Sequence, residues 1–305
     1  MNTLIRKTPT LGVYLRLGRV SNLPTVWTNV LAGTVLGGGS AAAFQPRTAL
    51  VMAAISAFYL AGMYLNDAFD RAIDARERPS RPIPAGEISA AAVFCTGFAL
   101  LALGLFGLAL CGAAPVLSGC ALAACILLYD VWHKGNPASP LVMGVCRALV
   151  YLAAGAAAAT PQELSGAPLA AAGLAVLAHV AGLTYAAKQE SLDRLERLWP
   201  LAVLALAPLA YLPAALDTLA QPGSADMAVA GMLLALLAAD VLAVRLLRRR
   251  AARGDVGRAV AQLIAAISLL DGLILAAAGA SLPLLVACVA AYGATRLLQR
   301  FIPGT

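Results

Sequence analysis

Ten long apolar stretches, separated by segments that carry proline, glycine or charged residues, constrain this chain more than any other feature of its sequence. A helix that crosses a membrane needs roughly 20 apolar residues, and the stretches are close to that length. Because membrane strands are about ten residues long and alternate in polarity, continuous stretches of this length favour helices. The stretches lie at about 21–41, 48–65, 89–112, 114–132, 138–159, 168–187, 198–216, 225–247, 259–279 and 281–298.

The composition leads to the same interpretation. Hydrophobic residues make up 61% of the 305 residues and charged residues only 12%, against roughly 25% in an ordinary soluble domain. One soluble core of this length cannot shelter so much apolar surface from water. We therefore predict an all-α polytopic membrane bundle of nine to ten helices, formed by a single domain over residues 1–305. Disordered chains, disulfide scaffolds and secreted soluble enzymes are excluded.

The basic residues fall on one side of this layout. If the N-terminus is cytoplasmic, the inner connections receive nearly all Lys and Arg residues, whereas the outer connections receive only Arg47. By the positive-inside rule, this asymmetry predicts that both termini are cytoplasmic, and we expect a bacterial inner membrane protein. The net charge of +7 therefore reflects the basic residues of the inner connections and does not indicate a nucleic-acid partner. Residues 1–20 lack the apolar region of a secretory signal peptide.

Small residues inside the stretches are expected to serve helix packing. Gly33 and Gly37 have the GxxxG spacing that lets two membrane helices approach closely. The six cysteines lie in apolar stretches without CxxC or His/Cys spacing, so we expect neither disulfides nor zinc ligands.

The longest polar segment, residues 66–89, contains the acidic residues that most strongly indicate chemistry. Asp67, Asp70 and Asp74 are spaced i, i+3 and i+7, which places them on one face of a helix. Three carboxylates on one face repel one another unless a cation lies among them, and carboxylate oxygens suit Mg²⁺. The alternative is a solvated helix end that neighbouring arginines neutralise. We favour Mg²⁺ because the cluster begins where an apolar stretch reaches the inner face.

Polar groups suited to a phosphate accompany these acidic residues. Asn66 adds an amide oxygen that can orient a metal-bound water molecule. The proline-rich segment 78–86 (RPSRPIPAG) predicts an ordered, non-helical turn that carries Arg78 and Arg81.

Residues 66–86, read as NDxxDxxxD followed by RPxxRPIPxG, resemble the first signature of the UbiA-type intramembrane prenyltransferases. Residues 19–24 (RVSNLP) are similar to the family's entry sequence, and Tyr129 with Lys134 to its Y-x-x-x-x-K element. The resemblance covers about residues 15–200. It implies a helical bundle around a central cavity, in which aspartates bind two Mg²⁺ ions that hold a prenyl diphosphate, and a lateral opening that admits lipid tails.

The resemblance also implies roles for individual residues. The C–O bond to pyrophosphate ionises to an allylic cation, which an electron-rich acceptor captures. The implied catalytic residues are Asp67, Asp70, Lys134 and Arg147. The implied metal ligands are Asp67, Asp70, Asp74, Glu190 and Asp193. The implied substrate-binding residues are Asn22, Asn66, Arg78, Arg81, Tyr129, Tyr185 and Lys188.

The sequence departs from the family pattern after the sixth stretch, where a second acidic signature is expected. Lys188 and Gln189 occupy positions where acidic residues would be expected, and Glu190 and Asp193 follow at i and i+3 spacing. Three interpretations are open. Glu190 and Asp193 hold a second metal ion, or Lys188 contacts the diphosphate directly, or transferase activity has been lost.

A few polar residues inside the stretches are further candidates. Acidic residues within a membrane are functional candidates by default, and Asp271 and Asp240 belong to this class, although Asp240 can pair with Arg245. We expect His179 to form a hydrogen bond between helices, and Arg19 with Asn22 is a candidate for recognising an acceptor. Two further residues are candidates for the cavity lining: Asn29 and Tyr64.

The leading prediction is Mg²⁺-dependent transfer of a prenyl group from a polyprenyl diphosphate to a small, unidentified acceptor at the cytoplasmic membrane face. A terpene cyclase, or a transferase that uses polyprenyl phosphate, is an alternative on the same scaffold. The ten stretches and the intramembrane Asp271 also agree with a third hypothesis, a transporter or a lipid-binding protein. A transporter should show duplicated halves with matching broken helices, and the sequence has no obvious repeat.

Overall fold

The computed structural model describes residues 9–159, 166–188, 198–220, 227–249 and 254–304. Over these ranges the chain is helical and contains no strand. The α-helices are α1 (Leu11–Leu17), α2 (Leu23–Ala42), α3 (Pro46–Phe69), α4 (Arg71–Glu77), α5 (Ala90–Ala109), α6 (Ala113–Trp132), α7 (Ser139–Ala158), α8 (Gly166–Ala187), α9 (Trp199–Ala210), α10 (Leu212–Ala220), α11 (Met227–Arg249), α12 (Asp255–Ala277) and α13 (Leu282–Leu298). A short 3-10 helix, Val20–Asn22, precedes α2.

Where the structure describes them, the ten apolar stretches are helical over most of their length, as expected for an integral membrane protein of the predicted class. Eight helices in the described ranges are long and apolar enough to cross a membrane, counting α9 with most of α10 as one span. The 20-residue α2 and the 17-residue α13 pack against each other and against α12. These two helices correspond to the first and last predicted stretches.

The seventh stretch, 198–216, was predicted as one uninterrupted helix, and the structure differs from this prediction. The chain forms two helices there, because α9 ends at Ala210 and α10 begins at Leu212. Pro213 has no N–H group, and its ring clashes with the carbonyl four residues earlier, at Leu209, when the helix continues. The break at Tyr211 therefore follows from the position of the proline.

The two largest of three apolar clusters form most of the interior of the bundle. One cluster is centred on α8, α11 and α12, and the other on α3, α5, α6 and α7. Helix α12 is the most completely buried of the eight candidate spans. Residues of both clusters line a single cavity, which places the cavity between them.

Helices α2 and α7 approach closely at glycine residues. A Cβ atom added to Gly37 would lie 2.4 Å from the carbonyl oxygen of Gly155, and one added to Gly33 would lie 2.6 Å from that of Tyr151. The GxxxG pair is therefore a helix-packing motif, as its spacing predicts. The close approach brings Arg147 of α7 against the N-terminal half of α2.

Candidate active site

A cavity of about 360 Å³ between the helices has an apolar part and a charged part. Its apolar walls come from six helices and include Val26, Ile55, Phe58, Leu122, Ile126, Val150, Val180 and Ile267. Its charged part, here called the charged rim, consists of Asp70, Arg78, Arg81, Asp130, His133 and Lys134. Other polar lining residues include Arg19, Asn22, Asn66, Tyr129 and Arg147. A molecule with a charged head and a hydrocarbon tail matches this division.

The three aspartates of the first signature are buried and do not project into bulk solvent. Asp67, Asp70 and Asp74 are 7%, 6% and 3% exposed. They do not share one continuous helix, because α3 ends at Phe69 and Asp70 lies between α3 and α4. The backbone N–H groups of Asp70 and Asp74 still bond to carbonyls four residues earlier. Of the three side chains, only that of Asp70 lines the cavity.

Two arginines bond to the other two aspartates. Arg81 Nη1 lies 3.0 Å from Asp67 Oδ1 and 2.8 Å from Asp74 Oδ2. Arg19 Nη2 lies 3.2 Å from the same oxygen of Asp67. The segment 78–86 forms the turn that its prolines predict and folds back onto the acidic residues. The positive charges that the aspartates need for stability are therefore supplied by the protein itself.

Asp70 interacts with two basic side chains at the end of α6. Its Oδ2 lies 3.3 Å from His133 Nε2 and 3.5 Å from Lys134 Nζ. Burial raises the pKa of Asp70, but the hydrogen bonds and charges of His133 and Lys134 outweigh burial, so the net pKa lies below its ordinary value. The carboxylate is therefore ionised at neutral pH where it faces the cavity.

Asp130 is a cavity residue that the sequence analysis did not assign to the site. Its side chain is 4% exposed, and its Oδ1 accepts a hydrogen bond from Asn66 Nδ2 at 3.3 Å. Its Oδ2 is buried and has no hydrogen-bond partner in the described part of the chain. His133 was also missed, and its ring stacks on Tyr129 at 4.9 Å. The available signal was position in the chain, since Asp130 and His133 lie between Tyr129 and Lys134, two residues already assigned to the site.

Arg147 reaches the cavity from within the membrane span of α7. It lies eight residues after the start of α7, about 12 Å along the helix axis. Its Nη1 donates to Asn29 Oδ1 at 2.6 Å and its Nη2 to Thr25 Oγ1 at 3.2 Å. The guanidinium also lies 5.9 Å from the ring centroid of Tyr59. Asn29 therefore contacts a cavity residue without itself being part of the cavity lining.

Asn22 closes one wall of the cavity through contacts with the C-terminal segment. Its Nδ2 donates to the carbonyl oxygen of Gly304 at 2.9 Å, and its Oδ1 accepts from Gln299 Nε2 at 3.0 Å. Asn22 and Gly304 both line the cavity. A substrate that bound to Asn22 would compete with these contacts.

Tyr185 and Lys188 lie outside the cavity lining. The Tyr185 hydroxyl donates to the carbonyl of Pro137 at 2.8 Å, and Lys188 Nζ donates to the carbonyl of Asn136 and to Ser139 Oγ, both at 2.7 Å. These bonds fasten the end of α8 to the connection between α6 and α7. Burial lowers the pKa of Lys188. The substrate-binding role of both residues stays a prediction, and Glu190 and Asp193 lie outside the described residues.

The remaining polar candidates occupy structural positions. His179 Nε2 bonds to the carbonyl of Leu263 at 3.0 Å and so links α8 to α12, as predicted. The Tyr64 hydroxyl donates to the carbonyl of Tyr14 at 3.1 Å and does not reach the cavity. Asp240 is buried, and among the described ion pairs there is none between it and Arg245.

The oxygen atoms at the charged rim fit a hard divalent cation. In the ranges that the structure describes, no three carboxylate, imidazole or thiol groups converge on one point. Mg²⁺ bound together with substrate phosphates needs only one or two protein carboxylates, however. Asp70 and Asp130 offer two, and the unpartnered Oδ2 of Asp130 is a buried acceptor at the cavity wall.

The model of the UbiA prenyltransferase family matches residues 24–302. The chain belongs to this family. A digeranylgeranylglyceryl phosphate synthase of Ignicoccus hospitalis is 37% identical over 120 residues, which are 39% of this chain and 37% of that protein. One from Halobacterium salinarum is 33% identical over 173 residues, 54% of this chain and 57% of that protein. The matches thus span only 37% to 57% of the length of these curated relatives.

Solved structures of UbiA homologs share the fold. A UbiA homolog from Aeropyrum pernix superposes with a TM-score of 0.62 at 19% identity, covering 84% of this chain and 96% of that one. A UbiA homolog from Archaeoglobus fulgidus, bound to GPP and Mg²⁺, superposes with a TM-score of 0.58 at 16% identity, covering 85% and 99%. At these identities the likeness establishes the UbiA fold, which the signature at residues 66–86 predicted.

Proposed function

We propose that this protein transfers a prenyl group from a prenyl diphosphate to an acceptor molecule within the membrane, with Mg²⁺ as cofactor. The observation that carries this proposal is the charged rim at one side of an otherwise apolar cavity. The rim suits a diphosphate and the apolar walls suit a prenyl chain. The GPP and Mg²⁺ bound to the A. fulgidus homolog and the name of the curated relatives support the same activity.

The residues of the charged rim have different roles in binding and ionising the prenyl diphosphate donor. Asp70 and Asp130 would hold Mg²⁺, which supplies positive charge to the diphosphate when bound. Lys134 and Arg78 place further positive charge beside the leaving group. The C–O bond of the donor breaks, and its electron pair leaves with pyrophosphate. A lone pair of the acceptor then forms the new bond to the prenyl carbon, and the acceptor releases its proton.

The apolar walls and the more distant acidic residues have supporting roles in this scheme. Phe58 and Ile126 line the cavity and keep water from the allylic cation. Asp67 and Asp74 would become available as further metal ligands when a bound diphosphate attracts Arg81, which bonds to both of them. Glu190 and Asp193, which lie outside the described residues, would supply a second set of acidic ligands.

The acceptor is proposed only by class. The curated relatives are named for a glyceryl phosphate product, and a polar acceptor agrees with the departure from the family pattern at Lys188. We therefore take a phosphate-bearing polyol as the first acceptor to test. Arg147, one of the basic residues that line the cavity, would bind its phosphate.

The activity is tested with purified protein, Mg²⁺ and a panel of prenyl diphosphates of increasing chain length. Pyrophosphate release should require both Mg²⁺ and the donor, and mass spectrometry should detect a prenylated acceptor. Cyclic hydrocarbons formed without an acceptor would identify a cyclase instead. If folded protein released no pyrophosphate from any donor, the proposal would be wrong. Lipid mass spectrometry of membranes with and without this chain would then name the missing species and its acceptor.

Replacing Asp130 with asparagine should raise the Mg²⁺ concentration needed for half-maximal activity by about tenfold or more. The reason is that an amide keeps the shape of the side chain but is a weaker ligand for Mg²⁺ than a carboxylate, whose Oδ2 is here without a hydrogen-bond partner among the described residues. Binding of Mn²⁺ to the protein with a non-reacting donor analogue gives a readout that does not depend on turnover. The exposed Asp217 of α10 provides the control, Asp217→Asn. An unchanged metal requirement in Asp130→Asn would remove Asp130 from the ligand set.

We further propose that the charged rim faces the cytoplasm of a bacterial cell, because basic residues concentrate on that side of the layout. The test uses single cysteines in a protein whose native cysteines have been replaced. A membrane-impermeant thiol reagent added from outside should label Phe44→Cys and spare Arg76→Cys. The opposite pattern would reverse the orientation.

A further inference from the structure

Asp271 is a buried carboxylate of α12 that the proposed chemistry does not use. Its side chain is 0% exposed, and Asn29 Nδ2 lies 2.9 Å from its Oδ1 and 2.8 Å from its Oδ2. The hydroxyls of Thr28 and Tyr151 also donate to it. Acidic residues within a membrane are energetically costly, and they are candidates for a functional role by default.

Asn29 connects this carboxylate to Arg147. The Nδ2 of Asn29 faces Asp271, and its Oδ1 accepts a hydrogen bond from Arg147 Nη1 at 2.6 Å. A carboxylate only accepts hydrogen bonds and a guanidinium only donates them, so the two neighbours permit a single orientation of the amide. Asp271 therefore anchors the NH₂ group of Asn29 and holds the amide in the orientation in which its oxygen accepts from Arg147.

Neutral acceptors, rather than a carboxylate, hold Arg147. The Thr25 hydroxyl donates to the carbonyl of Asn22 at 2.8 Å, and its oxygen accepts from Arg147 Nη2. Among the ion pairs of the described residues, none includes Arg147. A direct ion pair would cancel the positive charge at the cavity wall. With an amide between the two charges, the guanidinium stays oriented and its charge stays available to the cavity.

We propose that Asp271 is a positioning residue for Arg147. Acting through Asn29, it holds the guanidinium in the orientation that binds an oxyanion of a substrate, a phosphate or a carboxylate, inside the cavity. The inference rests on the proposed function, because it assigns Arg147 a substrate to bind. It goes beyond that function because Asp271 itself touches neither the cavity nor a substrate. The competing explanation is that Asp271 only joins α2, α7 and α12.

The variant Asp271→Asn separates the two explanations. An amide at position 271 is neutral and carries only one acceptor oxygen, so it no longer anchors the Asn29 NH₂ group as the carboxylate does, and the Asn29 oxygen is held less firmly against Arg147. We expect KM for the anionic substrate to rise about tenfold, the usual effect of losing one charge-assisted hydrogen bond, with a smaller change in kcat. The double variant Arg147→Gln/Asp271→Asn should have the same KM as the single variant Arg147→Gln.

Asp240→Asn is the matched control, because Asp240 is also a buried aspartate of a membrane span and does not line the cavity. It should leave KM unchanged. If Asp271→Asn lowered thermal stability without changing KM, or changed KM equally with and without Arg147, Asp271 would be structural and the inference wrong.

A structure of the Asp271→Asn protein supplies a readout that needs no turnover. We expect Arg147 to lose its bond to Asn29 there, and retention of the bonds to both Asn29 and Thr25 would overturn the inference. If the wild-type protein folds but uses no donor, the proposed function fails, while this structural comparison still decides the role of Asp271.

Discussion

Replacing Asp70 with alanine should lower Mg²⁺-dependent pyrophosphate release by roughly a hundredfold to a thousandfold. Asp70 is the one aspartate of the first signature that lines the cavity, and its net pKa is lowered, so the native protein presents an ionised carboxylate there. Alanine removes this charge from the place where the diphosphate and Mg²⁺ are proposed to bind. The measurement is the initial rate of pyrophosphate release at saturating donor and Mg²⁺.

Two controls separate this loss of activity from misfolding. Glu77→Ala removes an exposed carboxylate from the neighbouring helix α4 and should retain activity. Asp70→Ala should still unfold cooperatively with at most a modest loss of Tm, because the Lys134 side chain is 48% exposed and stays solvated, while the His133 side chain, 12% exposed, loses one partner. Full turnover by folded Asp70→Ala would contradict the proposed function.

Replacing Gly37 with valine should destabilise the protein by about 3 kcal/mol or more, at the upper end of the usual cost of overpacking. The nearest atoms to an added Cβ belong to the backbone of Gly155, which cannot move aside as a side chain can. Helices α2 and α7 must therefore separate. Because Arg147 of α7 bonds to Asn29 and Thr25 of α2, the separation should also abolish activity.

The matched control for this prediction is Gly231→Val in α11. A Cβ atom at Gly231 meets nothing within 4 Å, so valine should leave the Tm close to that of the wild type or slightly higher. The measurement is the Tm of each variant in the same detergent. Equal Tm values for the Gly37 and Gly231 variants would mean that α2 and α7 are not in close contact.

The helices were predictable because the chain folds in the lipid bilayer. In lipid, a chain must satisfy its backbone hydrogen bonds internally, so a long apolar stretch has little choice but to form a helix. The seventh stretch was broken by Pro213, a local effect that hydropathy alone does not register. The acidic cluster and the turn after it were also predictable, since all their residues lie within 66–86.

The contacts between distant residues were not predictable in the same way. The sequence analysis placed Tyr64 and Asn29 at the cavity, whereas Tyr64 bonds to Tyr14 and Asn29 reaches the cavity only through Arg147. It gave no role to Asp130, whose neighbour Asn66 lies 64 residues away in the chain.

The sequence by itself thus determined the all-helical membrane fold, the family and the position of the acidic signature. Only the tertiary structure decided which carboxylate faces the cavity, which arginines bond to the others, and that Asp271 connects to Arg147 through Asn29. The physical reason is that these Ala- and Leu-rich helices are apolar on every side. Without a polar stripe, nothing in the pattern fixes the rotation of a helix about its axis, and that rotation determines which side chains meet.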